Sequence, residues 1–319
     1  MEEAILNALK NRPGEFVSGE ELSRMAGVSR TTIWKEIEKL RAEGYKILAQ
    51  PHSGYHLVAV PDRLTAQELS WNLRTEKIGR RIYAYDTTDS TMDVAQRLAA
   101  AGEPEGSVVF AEGQGRGRGR MGRTWISPKG KGIYCSVILR PPLQLTEISK
   151  ITLMAAVAVA RAVEAATGLK PEIKWPNDLL IGGKKLSGIL TELNAELNRV
   201  NYVVLGIGMN VNTPADKLPA HGTSLLQELG EKVDRLELAR QLLGQMDKTY
   251  IQFLREGMPP VLEAWRRFAG FLGQRVRVVV EGRVLDGQAL DVDPSGALLV
   301  RTDTGLVESV SAGEVLLVR

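Results

Sequence analysis

Gly113–Trp125 reads GQGRGRGRMGRTW, a glycine–arginine run set between two strand-like segments, Ser107–Ala111 and Ile133–Leu139. From Arg116 to Lys131 there are six basic side chains and no acid. Glycines at this density free the backbone to fold closely around a ligand. The exposed N–H groups and guanidinium forks suit an anion such as a carboxylate or a phosphate. Arginine–glycine segments that grip single-stranded nucleic acid are the competing reading, but those are usually long and repetitive. A short run between two strands points to a mobile anion-binding loop within a folded domain.

Three further clusters lie outward from it. Lys174–Leu180 reads KWPNDLL, and Gly182–Leu190 reads GGKKLSGIL. Proline followed by asparagine and aspartate makes a rigid turn that presents an amide and a carboxylate. Gly188 sits in a strand where a ligand could approach the backbone. The glycine–lysine spacing does not match a Walker A loop. Asp86–Met92 reads DTTDSTM ahead of a helix, where small hydroxyls cap the helix or bind a polar head. Gly206–Asn212 reads GIGMNVN at a strand end. Taken singly, each of these clusters is equally an ordinary turn or cap.

The clusters lie in residues 63–270, read as a connecting segment to about 80 and then the main domain. Strand patterns at Arg81–Tyr85, Ser107–Ala111, Ile133–Leu139, Lys185–Thr191 and Tyr202–Asn210 mix with helical patterns at Thr91–Ala101, Ile148–Thr167, Arg235–Glu256 and Val261–Phe268. Strict strand–helix alternation is missing, so a mixed, mainly antiparallel α+β sheet is expected. Thr65 is expected to cap a short helix over Ala66–Leu73.

Residues 1–62 read as a winged helix-turn-helix. Ile5, Leu6 and Leu9 share one helical face. Ser18 and Ser29 are placed to cap two further helices, with Gly27-Val28 as the turn and Ile33, Ile37 and Leu40 as the apolar stripe. Two short strands follow, Tyr45–Ala49 and Tyr55–Val58. Such a module projects the start of its last helix into a DNA major groove. That makes Ser29, Arg30, Thr31, Thr32 and Lys35 the candidate DNA contacts, with Trp34 at the backbone or in the core. Residues 271–319 alternate short β runs with turns at Glu281-Gly282, Asp293–Gly296 and Asp303–Gly305, the pattern of a small SH3-like β-barrel.

Composition narrows the rest. A chain of 319 residues allows two or three domains, and a net charge of +3 implies no polyanion partner by itself. The lone Cys135 excludes an internal disulfide and reads as a small buried side chain. Three scattered histidines, His52, His56 and His221, offer no metal cluster, so no protein metal site is expected. The acidic start is unlike a signal peptide, and the longest apolar stretch, Ile151–Val163, is too short to span a bilayer. A cytoplasmic protein with no membrane partner is the expectation.

The ordered set, DST, then Gln114, then GRGRMGRTW over Gly117–Trp125, then KWPND, KLSGIL and GIGMN, resembles the biotin–protein ligase family. The flanking modules resemble its bifunctional form, which is also the biotin operon repressor, so the resemblance covers nearly the whole chain. It implies a class II synthetase-like ligase domain. It also implies ATP with Mg2+, biotin as substrate, and two steps: biotin and ATP give biotinyl-5′-AMP and pyrophosphate, then a carrier lysine takes the biotinyl group. Trp125 sets the frame of the run and leaves Arg116 outside it. In that frame the resemblance gives Ser90, Thr91, Gln114, Gly119, Arg120 and Lys185 as biotin contacts, and Arg118, Arg120 and Arg123 as closing over the adenylate. Asn177, Asp178, Lys185 and Asn210 line the nucleotide side, with Trp125 and Gly188 beside the ligand. Met92 stands where many relatives carry asparagine, which leaves its backbone as the contact. Lys185, Arg118, Arg120 and Asp178 are the catalytic candidates. The implied partners are the biotin carboxyl carrier protein of acetyl-CoA carboxylase, operator DNA, and a second copy of the chain once adenylate is bound. A ligase without repressor activity, a ligand-sensing repressor with an inactive ligase fold, and a lipoate ligase are the alternatives.

Overall fold

The computed structural model describes residues 1–280 and 283–317 and divides them into two compact units, Met1–Arg63 and Leu64–Arg319. The turn expected at Glu281-Gly282 lies outside the described residues.

The first unit contains helices α1 (Glu2–Lys10), α2 (Gly19–Ala26) and α3 (Arg30–Ala42), then strands β1 (Lys46–Gln50) and β2 (Gly54–Ala59). The Ser18 side chain accepts from Glu21 N and the Ser29 side chain from Thr32 N, so each serine satisfies an N–H that the helix itself cannot. Gly27 ends α2 in the left-handed region at φ 67°, which glycine adopts without strain. Ile5, Leu6, Leu9, Val17, Leu22, Ile33, Ile37, Leu40 and Ile47 form its core. This is the helix-turn-helix with a two-stranded wing that the pattern predicts. Of the two places open to Trp34, the core is not the one taken: it is 54% exposed and takes no part in that core.

The second unit begins with α4 (Ala66–Ser70), capped by the Thr65 side chain. It ends earlier than the periodicity predicts, because Trp71 turns to an extended conformation. The chain continues through β3 (Ile82–Tyr85), α5 (Thr91–Ala100), β4 (Val108–Ala111), β5 (Gly132–Leu139), α6 (Ser149–Thr167), β6 (Glu172–Lys174), β7 (Asp178–Ile181), β8 (Lys184–Glu196) and β9 (Arg199–Asn210). Then come α7 (Leu225–Leu229), α8 (Arg235–Glu256) and α9 (Pro259–Phe268). The seven strands β3–β9 form one sheet in the order β3-β4-β5-β9-β8-β7-β6. Only β3 and β4 run parallel, so the sheet is mixed and mainly antiparallel. Helix α6 is buried along most of its length, from Ile151 to Val163, and packs against α8 and α9. A helix apolar on nearly every face belongs inside a core. No helix among the described residues is long and apolar enough to cross a membrane.

Strands β10 (Arg275–Val280), β11 (Arg283–Val292), β12 (Leu298–Thr302), β13 (Val307–Val310) and β14 (Glu314–Leu317) make a five-stranded antiparallel sheet in the order β13-β12-β11-β10-β14. Its buried residues, including Val276, Val278, Leu298 and Val300, join the same hydrophobic cluster as α6, α8 and the large sheet.

Candidate functional site

A cavity of about 210 Å³ opens against the large sheet. Its wall is drawn from the start of α5, the glycine–arginine loop, the turn between β6 and β7, and strands β8 and β9. Lys217 and Pro219 complete it from the loop after β9, and Gly313 and Glu314 from the start of β14.

One end is neutral and polar. Thr91 N and Oγ1 both donate to Gln114 Oε1, at 2.9 and 3.1 Å. Ser136 Oγ donates to Thr91 Oγ1 at 2.8 Å, and Gln114 Nε2 to Ser127 Oγ at 2.9 Å. Ser90 caps α5, its hydroxyl accepting from Met92 N. Ser90, Thr91 and Ser136 are buried, so these groups must be paired: Ser136 with Thr91, and Ser90 with the start of its own helix. A polar ring entering here would exchange those partners for its own.

The floor consists of glycines in mid-strand. A Cβ on Gly208 would stand 2.5 Å from Trp125 Nε1, and one on Gly206 would stand 2.6 Å from Met92 Sδ. A Cβ on Gly188 would meet Trp125 at 3.1 Å. The glycines therefore make slots into which the Trp125 and Met92 side chains drop. Trp125 Nε1 is shielded from solvent and has no hydrogen-bond acceptor.

The other end is charged. Lys185 Nζ stands 2.7 Å from Asp178 Oδ1 and 5.5 Å from the Trp125 ring centre. Asp178 Oδ1 is shielded and receives no well-aligned hydrogen bond, so its contact with Lys185 is ionic. Arg120 Nη1 donates to Asn177 Oδ1 at 3.0 Å, while Asn177 Nδ2 donates to Ile189 O at 2.9 Å. Burial pulls the Arg120 guanidinium below its usual pKa. Asn210 Nδ2 donates to Thr223 O at 3.1 Å. The other loop arginines are held by carboxylates. Arg123 pairs with Glu314 at 2.6 Å, and Arg118 with Asp93 and, at 3.3 Å, with Glu192. Burial draws Arg118 down, but the hydrogen bond it donates to Asp93 and the Glu192 charge outweigh it, and its pKa is raised. Arg116 pairs with Asp89 and is not among the cavity-lining residues.

Every residue named from the sequence as a ligand contact lies in the cavity wall, from Ser90, Thr91 and Met92 to Gly188 and Asn210. Cys135 also lines it; burial pushes its thiol up to about 12, which leaves a small apolar side chain. Lys217, Gly313 and Glu314 were not singled out from the sequence. A Gly-Glu pair in a β turn and a lysine in a polar loop carry no local signal that separates them from solvated surface. Among the described residues no group of three His, Cys, Asp or Glu could hold a metal. The donor set fits an ion carried by phosphate oxygens, with Asp178 and Glu314 as the carboxylates on the wall.

In the first unit Arg30, Thr31 and Lys35 are exposed at the start of α3. Ser29 Oγ lies 2.9 Å from Thr32 Oγ1, so both hydroxyls are occupied in capping. Lys39 is paired with Glu2, and Arg41 with Glu38.

Comparison with known proteins agrees with this geometry. The biotin/lipoate A/B protein ligase family matches residues 84–210, over the strands and loops that wall the cavity. The chain is 42% identical over 302 residues to the bifunctional ligase/repressor BirA of Bacillus spizizenii, covering 93% of both proteins. The chain belongs to the biotin protein ligase family. The family's C-terminal domain matches residues 271–318, and an HTH domain matches residues 2–56. The bifunctional ligase/repressor BirA of Escherichia coli is 31% identical and covers 95% of this chain and 94% of its own. Among solved structures, the biotin protein ligase from Aquifex aeolicus in complex with biotin and ATP superposes with a TM-score of 0.65 at 27% identity. It covers 75% of this chain and 99% of its own.

Proposed function

We infer that this chain is an ATP-dependent biotin protein ligase that also acts as a biotin-responsive transcriptional repressor. It joins biotin and ATP into biotinyl-5′-AMP with release of pyrophosphate, then transfers the biotinyl group to a lysine of a biotin carboxyl carrier protein. The observation that carries the ligase reading is a single cavity with a neutral polar pocket at one end and a set of cations at the other. Biotin has that polarity: an uncharged ureido ring joined by an apolar chain to a carboxylate.

The ureido ring fits the Ser90–Thr91–Gln114 end, where amide and hydroxyl groups can both donate and accept. Its rings and chain then lie along the glycine floor against Trp125 and Met92. The carboxylate reaches Lys185 and Arg120, where the α-phosphate of ATP must also come. Two anions approach only if their repulsion is neutralised by preorganised donors, and Lys185, Arg120 and Arg118 supply that. A carboxylate oxygen attacks the α-phosphorus and pyrophosphate departs. The carrier lysine, as free amine, then attacks the carbonyl carbon of the mixed anhydride, loses a proton, and AMP leaves. Asp178 is placed to orient that amine or take its proton. Mg2+ bound with ATP would be held by the phosphates and Asp178, and would offset phosphate charge. Closure of the loop from 113 to 131 excludes water from a reactive anhydride.

The acceptor is the carrier subunit of acetyl-CoA carboxylase. The repressor half rests on the winged helix, whose exposed Arg30, Thr31 and Lys35 are the contacts to operator DNA. Two winged helices on a two-fold operator require a dimer, which adenylate binding favours.

Incubation with ATP, biotin and labelled pyrophosphate tests the ligase reading. Exchange that requires biotin and ignores lipoate is expected; its absence breaks the reading. In Asp178→Ala, adenylate formation and transfer are assayed separately. Loss of transfer from preformed adenylate is expected, and normal transfer removes Asp178 from that step. Operator binding should tighten when biotin and ATP are added, and binding indifferent to them would leave the ligase alone.

A further inference from the structure

Outside the cavity wall lies a buried ion pair that the chemistry above does not use. Arg235, at the start of α8, is 1% exposed, and Glu112, directly after β4, is 6% exposed. Arg235 Nη1 donates to Glu112 Oε2 at 2.9 Å and to Gly132 O at 3.1 Å. Glu112 Oε1 accepts from Leu64 N at 2.5 Å, and the Glu112 carbonyl accepts from Gly130 N at 3.0 Å. Glu112 is the last residue before the glycine–arginine loop and Gly132 the first after it. The pair therefore holds both feet of the loop against one helix.

The far foot is held again nearby. Tyr134 OH donates to Pro128 O at 3.2 Å, and Asn212 N to Lys131 O at 2.6 Å. A side chain on Gly132 would lie 2.5 Å from the Tyr134 ring and 2.6 Å from Met209 O, so only glycine lets these parts close. Burying two charges is costly, and an apolar pair of similar size would serve stability as well or better. The loop above has the opposite construction: glycines, and arginines paired at the surface. Its position depends on where its feet are fixed.

We propose that Glu112 and Arg235 are positioning residues that fix the feet of the glycine–arginine loop and so set how firmly it retains the adenylate. This rests on the ligase reading for its ligand, but not for the geometry of the loop. The test uses the full chain with both partners replaced, Glu112→Leu together with Arg235→Met, because removing both charges leaves neither unpaired. Two quantities are read alongside the thermal midpoint of each variant. One is the rate at which trypsin cuts at Arg116–Arg123 without ligand. The other is the release rate of preformed biotinyl-5′-AMP.

Both should rise about tenfold, with transfer at saturating adenylate little changed. If the double variant does not fold, Arg235→Lys takes its place. It keeps the charge but lacks the planar fork that spans Glu112 and Gly132, and the same two increases are expected at smaller size. A folded variant that is cut and releases adenylate at wild-type rates overturns the proposal. So does one in which both rates change only in proportion to a lowered midpoint, since that is a purely structural role. If the wild-type chain forms no adenylate, the ligase reading fails separately, and the trypsin rates still decide the loop.

Discussion

The loop over residues 113–131 and the segment over residues 174–188 both aim cations at one cavity, but they are held there by different forces. The segment is anchored by apolar burial. Trp175 is 1% exposed and its Nε1 donates to Gly296 O, while Leu179 and Leu186 lie in the main core. Lys185 is thereby set on a strand whose neighbours on both sides are paired. The loop is mostly exposed from Gly115 to Ile126, with Met121 in the left-handed region at φ 56° at its tip. Arg116, Arg118 and Arg123 are engaged by Asp89, Asp93, Glu192 and Glu314, partners of a kind that contributes little at a surface. A rigid template on one side and an exchangeable clasp on the other is what a site needs if it must admit two substrates and then enclose a reactive product.

Substitutions on the two sides should therefore fail in different ways. The largest effect is on stability, in the template. Trp175→Ala should cost about 3–5 kcal/mol, seen as a lower denaturant midpoint, and a loss under 1 kcal/mol would deny that the core anchors the segment. Next, Lys185→Ala should slow adenylate formation by about 100- to 1000-fold while the thermal midpoint holds; a loss confined to the KM for biotin would place its action in binding alone. Arg120→Gly, in the clasp, should leave synthesis measurable but release adenylate about tenfold faster. Unrelated lysines would then be biotinylated in a mixed-protein assay, whereas labelling confined to the carrier would refute the containment role.

The smallest effect is expected for Arg123→Ala, under about 1 kcal/mol, with a cost that fades as salt is raised. The hydrogen bond from Arg123 holds the Glu314 carboxyl below its ordinary 4.5. That pair's contribution is thus complete above that pH and is lost as pH falls through the lowered value. Trypsin sensitivity of the loop that rises well above pH 4.5 would contradict this.

The clasp was the easier half to read from the sequence and the template the harder. A run of glycine and arginine without acids announces an anion-binding loop, and Trp125 fixed its frame. Caps at Ser18, Ser29, Thr65 and Ser90 were likewise local and legible. The KWPND stretch reads as a turn, but its flanks form the strands β6 and β7, of three and four residues, too short for a period-2 pattern to register. Gly206 and Gly208 signalled backbone approach, yet the reason, room for Met92 and Trp125, depends on distant residues. Gly313 and Glu314 reach the cavity only through the pairing of β14 with β10, a long-range contact with no local signature. Trp34 stays out of the core because the apolar stripe of α3 is complete without it.

Hydrogen–deuterium exchange tests the distinction most directly, with amides of residues 113–131 and 174–188 followed with and without biotin plus ATP. The account predicts strong new protection in the loop and almost none in the segment, which is protected before any ligand arrives. Equal protection of both on ligand binding, or a loop already protected without ligand, would contradict it.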